Sequence, residues 1–173
     1  MRDWIFENKN QVEELREKII SEADASVDEL LCGVKGIHLL ELMKFEQVGY
    51  DSILEEKTNF IEQINQTFTY LVSLQALEYL MIQFPNKSFK VNFGVISGHD
   101  IESLDGTVIC ECFASTTPTS NNKLAGEVKR LDDKKTANNK YVIFYSRQKK
   151  PQHLSNLQSK YPDVHIIQLS NII

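Results

Sequence analysis

Cysteine is scarce in this chain of 173 residues, and the count is odd: three, with no CxxC pair. That excludes a disulfide framework and points to free thiols. Long apolar runs are missing too. The longest helical segment is interrupted by Glu, Gln and Asn, so it does not read as a membrane span. An apolar signal core is absent from MRDWIFENKNQVEELREK, and a cytoplasmic location is expected. There is no Gly-rich phosphate loop, no repeat of 20–50 residues and no low-complexity linker. With a pI near 5.4, bulk charge does not favour unspecific nucleic-acid binding.

What is present is unevenly spread. Residues 1–60 carry 14 acids against 7 Lys and Arg, whereas residues 114–173 carry 10 Lys and Arg against 4 acids. A split of this kind points to an anionic partner for the basic half. The hydrophobic period also changes along the chain. Residues 10–22 have helical spacing. Residues 27–47 predict one or two more helices, with Gly33 and Gly36 as weak points. Phe60, Ile64, Phe68, Leu71, Leu74, Leu77 and Met81 follow at steps of three and four. A capping box of Ser52 and Glu55 is expected before that helix, and Pro85 ends it.

Beyond Pro85 the period becomes extended. Residues 88–97 read as a strand, and 99–103 with 107–115 as a hairpin around Asp105-Gly106, a pair that favours a two-residue type I′ turn. Residues 118–133 read as a helix capped by Thr119 or Ser120. Residues 140–146 read as a strand, 151–161 as a helix opened by proline, and 164–170 as a last strand. Strands separated by a helix favour parallel pairing, and hairpin strands are antiparallel. The expected fold is α/β, with a mixed central sheet of about five strands beginning near residue 88, flanked by helices, and a helical N-terminal half. Residues 1–50 would pack as a helical segment on a core formed by 51–173, together making one domain.

The hairpin register carries the chemistry. A two-residue turn places Asp100 directly opposite Glu111, on one side of the sheet, with Cβ atoms roughly 4.5–5.5 Å apart. Like charges at that spacing repel, and a divalent cation such as Mg²⁺ would reconcile them. The same arithmetic sets His99 against Cys112, near Cys110. That trio could be a nucleophile pair or part of a metal site, but buried cysteine more often serves as a small hydrophobe.

An acid on one hairpin strand, a Glu on the next, a basic helix and a further strand resemble the PD-(D/E)xK, restriction-endonuclease-like nuclease superfamily over residues 53–146. The resemblance implies a restriction-endonuclease-like core. It also implies a metal-dependent phosphodiesterase acting on DNA, with Mg²⁺ or Mn²⁺ held by Asp100 and Glu111 and with Glu62 of the long helix as an accessory ligand. The superfamily's lysine, two residues after the Glu, is Phe113 here, and the resemblance implies Lys123 as its replacement from the following helix. Ser120, Asn121, Asn122, Lys129, Arg130, Arg147, Lys149 and Lys150 would contact the nucleic acid. Small nucleases that cut both strands usually dimerise, so a homodimer is expected. Phe113 equally supports a different class: a nuclease-fold module that binds or assembles without catalysis.

Overall fold

The computed structural model describes residues 4–31, 35–94, 98–134 and 137–173. Its elements are β1 (Trp4–Phe6), α1 (Lys9–Leu31), α2 (Ile37–Phe45), β2 (Gly49–Asp51), β3 (Glu56–Thr58), α3 (Phe60–Gln83), β4 (Phe89–Val91), β5 (Ile101–Ser103), β6 (Val108–Ala114), α4 (Lys123–Asp132), β7 (Asn139–Tyr145), α5 (Pro151–Lys160) and β8 (Val164–Leu169). A single 3₁₀ turn, Ser120–Asn122, precedes α4. Six strands form one mixed sheet in the order β1-β4-β5-β6-β7-β8. The β1–β4, β4–β5 and β5–β6 pairs are antiparallel. The β6–β7 and β7–β8 pairs are parallel, as the intervening helices require.

Alternation along β6 divides the interior. Val108, Cys110 and Cys112 point to one side, where Leu74, Leu77 and Leu80 of α3 and Val12, Leu15 and Ile19 of α1 complete a large apolar core. Ile109 and Phe113 point to the other, against Leu124, Val128 and Leu131 of α4 and Leu157 of α5. The helices of this second side lie over β7 and β8. The registered row Ile5, Lys90, Glu102, Ile109 crosses the same face toward β1, and there Ile5 and Lys90 are exposed. Half of that face is therefore open beside α4. On the α3 side, Arg16 is buried: it donates to Glu78 at 2.8 Å and to the Ile172 carbonyl at 3.5 Å, joining α1, α3 and the C-terminal segment.

Several expectations are corrected. The sheet has six strands rather than five, and it begins at Trp4, not near residue 88. Three residues are too short for a period to register, and β1 is defined by its partner β4. A second sheet, β2–β3, occupies residues read as a helix approach. The α3 cap is Asn59, whose side chain accepts from the Glu62 N–H at 2.9 Å, and not Ser52. Residues 10–22 and the start of 27–47 merge into α1, and the expected weak point at Gly33 lies outside the described residues. Residues 95–97 of the expected strand 88–97 lie outside them as well.

The hairpin keeps its register but not its turn. Ile101 pairs with Cys110 and Glu102 with Ile109, as expected. The link, however, runs from Leu104 to Thr107. Gly106 N–H donates to the Ser103 carbonyl at 2.8 Å, and Gly106 alone in it has positive φ (70°), whereas type I′ needs two such residues. Asp105 explains the choice: its carboxylate accepts from Ser103 Oγ at 2.6 Å, from Thr107 N–H at 3.2 Å and from Lys87.

Because Asn59 satisfies an otherwise orphan amide, Asn59→Ala should cost about 1 kcal/mol. Urea denaturation reads this as a lower midpoint with an unchanged slope. An unchanged midpoint would place the effective cap elsewhere.

Candidate functional site

Glu111 sits in the middle of β6, between Ile109 and Phe113 on the α4 side, and is 1% exposed. An isolated carboxylate there would be costly, so its oxygens are partnered. His99 Nδ1 lies 2.7 Å from Oε1, and Arg130 Nη2 lies 2.5 Å from Oε2. The same Arg130 nitrogen is 2.6 Å from Glu127 Oε2, so one guanidinium bridges two carboxylates from neighbouring elements. The bridge follows from the path of α4, which starts beyond the end of β6 and runs back along the sheet. Lys123, Glu127 and Arg130, at steps of four and three, form one stripe on it.

Asp100 precedes β5, opposite Glu111, where the chain departs from the regular ladder. Its Oδ2 accepts from the Cys112 N–H at 2.7 Å, taking the place of a strand carbonyl, while its own carbonyl accepts from Asn92 N–H at 2.8 Å. The two carboxyl groups are close enough for each to shift the other's proton affinity. Burial raises the pKa of Asp100, against the pull of the Cys112 amide. Burial, and then the charge of Asp100, pushes Glu111 up to about 8, despite Arg130. The pair therefore holds a proton at neutral pH, as closely spaced carboxylates do. Burial lowers the pKa of His99.

The other sequence-derived residues separate into groups. Glu62 lies in the first turn of α3, exposed and bonded to Gln66 at 3.0 Å. Since α3 covers the opposite face of the sheet, Glu62 is not brought to the pair. Lys123 places its ammonium over the Phe113 ring, 5.1 Å from the centroid, and Phe113 itself is buried and stacked on Phe144 at 5.3 Å. The cation that reaches the acids is Arg130, not Lys123. Among the described residues, no group of three or more His, Cys, Asp or Glu side chains is placed to share a metal ion.

No protein-family model matches the chain, and neither a curated protein nor a solved structure shows significant similarity to it. The site is therefore read from its own geometry.

The basic and hydroxyl-bearing residues gather where β6 and β7 end. Ser146 Oγ donates to the Thr116 carbonyl at 3.1 Å, and Lys150 Nζ donates to Thr119 Oγ1 at 3.4 Å, so the loops 115–122 and 146–150 adjoin. Asn121, Asn122, Arg147, Lys149 and Lys150 are exposed there, and Ser120 is half-buried. The cap of α4 is Asn122, in a left-handed conformation (φ 53°) and without a side-chain bond, rather than Thr119 or Ser120. Lys129 and Arg130 lie in the last turn of α4, at the other end of the helix. The Cys–His trio is split: Cys110 and Cys112 are buried against α3 with sulfurs 3.6 Å apart, while His99 turns to Glu111.

Sequence reasoning missed the contacts of Glu111 with His99 and Arg130, and the whole contribution of Glu127. The signal for the latter two was the spacing of Lys123, Glu127 and Arg130 alongside the buried stripe Leu124, Val128 and Leu131.

A pH dependence follows. In the fold Glu111 keeps its proton to about pH 8, against an ordinary value of 4.5. The folded state then binds more protons than the unfolded chain across that window, so this group lowers stability as pH rises through it. Asp100 acts in the same direction, and His99 opposes it at the acid end. In Glu111→Gln, the melting temperature relative to wild type should climb steadily from about pH 5 to about pH 9. A constant difference would mean that Glu111 is already ionised in the folded protein.

Proposed function

We propose that the protein is a metal-dependent phosphodiesterase acting on DNA, built on a restriction-endonuclease-like core, with Asp100 and Glu111 as its cation site. The observation that carries this reading is the facing acid pair. One acid lies just before β5 and the other on the antiparallel neighbour β6, and their proton affinity stays raised although an arginine already touches one of them. Such a pair lacks positive charge. Its donors are hard oxygens, and Asp100 is only half-buried at the rim of the open half-face. Such a set suits Mg²⁺ or Mn²⁺, which bind through one or two carboxylates and retain water. A cation there would supply an acidified water and screening of phosphate charge.

The chain's own residues supply the rest. The Cys112 amide fixes Asp100, and His99 orients Glu111 through Oε1. Arg147, Lys149, Lys150 and the Ser120–Asn122 turn, beside the uncapped start of α4, form an anion-attracting end at which DNA phosphates can be held. Lys129 extends the positive surface along α4. The acid-rich helix α1 lies on the opposite side of the sheet, where it does not repel DNA. A homodimer would bring two such sites to the two strands.

A second reading is favoured by Phe113. The position of the superfamily's lysine is filled by a buried, stacked ring, and Lys123 lies over that ring rather than at the acids. This arrangement suits a nuclease-fold module that binds DNA without cutting it.

Plasmid cleavage with Mg²⁺ or Mn²⁺ tests the first reading. The wild type should cut, and Asp100→Asn and Glu111→Gln should fall to background while remaining folded by circular dichroism. Cleavage that survives both substitutions, or proceeds in excess EDTA, would remove the pair from catalysis. Binding without cutting would favour the module.

DNA affinity should fall as salt rises, with log K declining by about 0.9 per log unit of salt for each phosphate contacted. Reversing Arg147, Lys149 and Lys150 to Glu should weaken binding and flatten that slope by about one per lost contact. Affinity indifferent to salt, or untouched by the reversal, would place the DNA face elsewhere.

A further inference from the structure

We propose that Arg130 is a built-in counter-cation for the acid pair, which a divalent metal ion must displace and which, once released, binds a phosphate of the substrate. The inference rests on the cation-site reading above. It starts from a single atom: Arg130 Nη2 contacts Glu111 Oε2 at 2.5 Å and Glu127 Oε2 at 2.6 Å. Glu111 is almost fully buried, whereas the Arg130 side chain is 47% exposed. The acid is fixed by the strand, and the arginine reaches it from the surface of α4.

That asymmetry decides which partner moves. Among the described residues Arg130 is the one guanidinium in contact with the acid pair; removing it leaves uncompensated the charge that the shared proton does not cancel, which a fold does not tolerate unless another cation or a second proton replaces it. A guanidinium is always charged and cannot deprotonate out of the way, so it competes directly with a metal ion for Glu111 Oε2. When it leaves, Glu127 gives it a place to pivot. Glu127 lies one turn earlier on α4, on the stripe that Arg130 shares with Lys123, and Arg130 can stay paired to it while swinging toward solvent. The direction open to it is the uncovered half of the sheet face, beside the helices that lie over β7 and β8. There a guanidinium can take two oxygens of a phosphate, which a lysine does less well.

The arrangement makes cation binding and substrate binding mutually supporting. With no metal ion, Arg130 answers the one negative charge left on the proton-sharing acid pair and is withheld from DNA. With a metal ion, the acids are neutralised by it and the arginine becomes available. Arg130 thus has opposite effects on the two ligands, which neither a merely structural salt bridge nor a simple phosphate contact would show.

The test measures Mn²⁺ affinity by calorimetry without DNA, and DNA affinity with and without Mn²⁺, in wild type, Arg130→Gln and Glu127→Gln. Arg130→Gln should bind Mn²⁺ more tightly than wild type, by roughly tenfold, the size expected for one competing charge pair. It should also lose most of the gain in DNA affinity that Mn²⁺ gives the wild type. Glu127→Gln loosens the arginine without removing it, so it should raise Mn²⁺ affinity in the same direction by less, and it supplies the answer if Arg130→Gln is unfolded by circular dichroism. If the wild type binds Mn²⁺ and both variants bind it equally well or more weakly, Arg130 is no competitor and the inference is overturned while the cation site stands. If no protein binds Mn²⁺, the cation site and the inference fall together.

Discussion

The carboxylate of Glu111 is the constraint around which the rest of the molecule is arranged. It sits on a strand whose neighbouring positions on that face, Ile109 and Phe113, are core residues, and the charge of the proton-sharing pair it forms with Asp100 must be answered within a few ångströms. The partners of Glu111 come from two segments far apart in the chain: the consecutive residues His99 and Asp100 just before β5, and Arg130 from α4. Each supplier depends on a larger feature. Asp100 needs the β5–β6 register, and Arg130 needs α4 to run back along the sheet. A replacement of the acid by an apolar residue of similar volume would remove the need for all three, as with other buried ion pairs. Their presence is therefore better explained by chemistry than by stability.

The two faces of β6 were given opposite uses. Cys110 and Cys112 pack with α3 as small hydrophobes, inert under the sheet, while the residues between and beside them face α4. Burial raises the Cys112 thiol well above its ordinary value, so it is no nucleophile at neutral pH. The period of two alone separates the unreactive positions from the polar one.

How much of this was legible depended on how local each signal was. The second half of the chain could be read because its elements are bounded by Pro85, Asp105-Gly106 and Pro151, and because β7 carries the apolar and aromatic run 141–145 and β8 is rich in Val, Ile and Leu. The register of Asp100 with Glu111 needed only the distance between two residues and a turn. The turn type was missed because Asp105 is held by Lys87 from another segment. The strand at Trp4–Phe6 was illegible, since three residues have no period and its partner lies 87 positions on, Trp4 against Val91. Glu62 and Lys123 were placed by family pattern; the first lies on the helix across the sheet and the second over Phe113. The partner of Glu111 was hidden for a different reason: a helix stripe says which side chains share a face, not what that face meets.

The buried Arg16 also bears on the order in which the molecule assembles. Its carbonyl acceptor at Ile172 is 156 residues away, and Glu78 is 62 residues away. Closing loops of that length is entropically slow, while the β6–α4–β7–α5–β8 run can form from contacts between near neighbours. During synthesis α1 emerges before either of these partners, and its tie to the C-terminal segment waits until residue 172 has appeared. Its apolar side stays uncovered until its main partner, α3, has been made. The strip of acids along α1, which reads on the finished surface as mere solvation, is thus also what keeps the nascent helix from finding the wrong company.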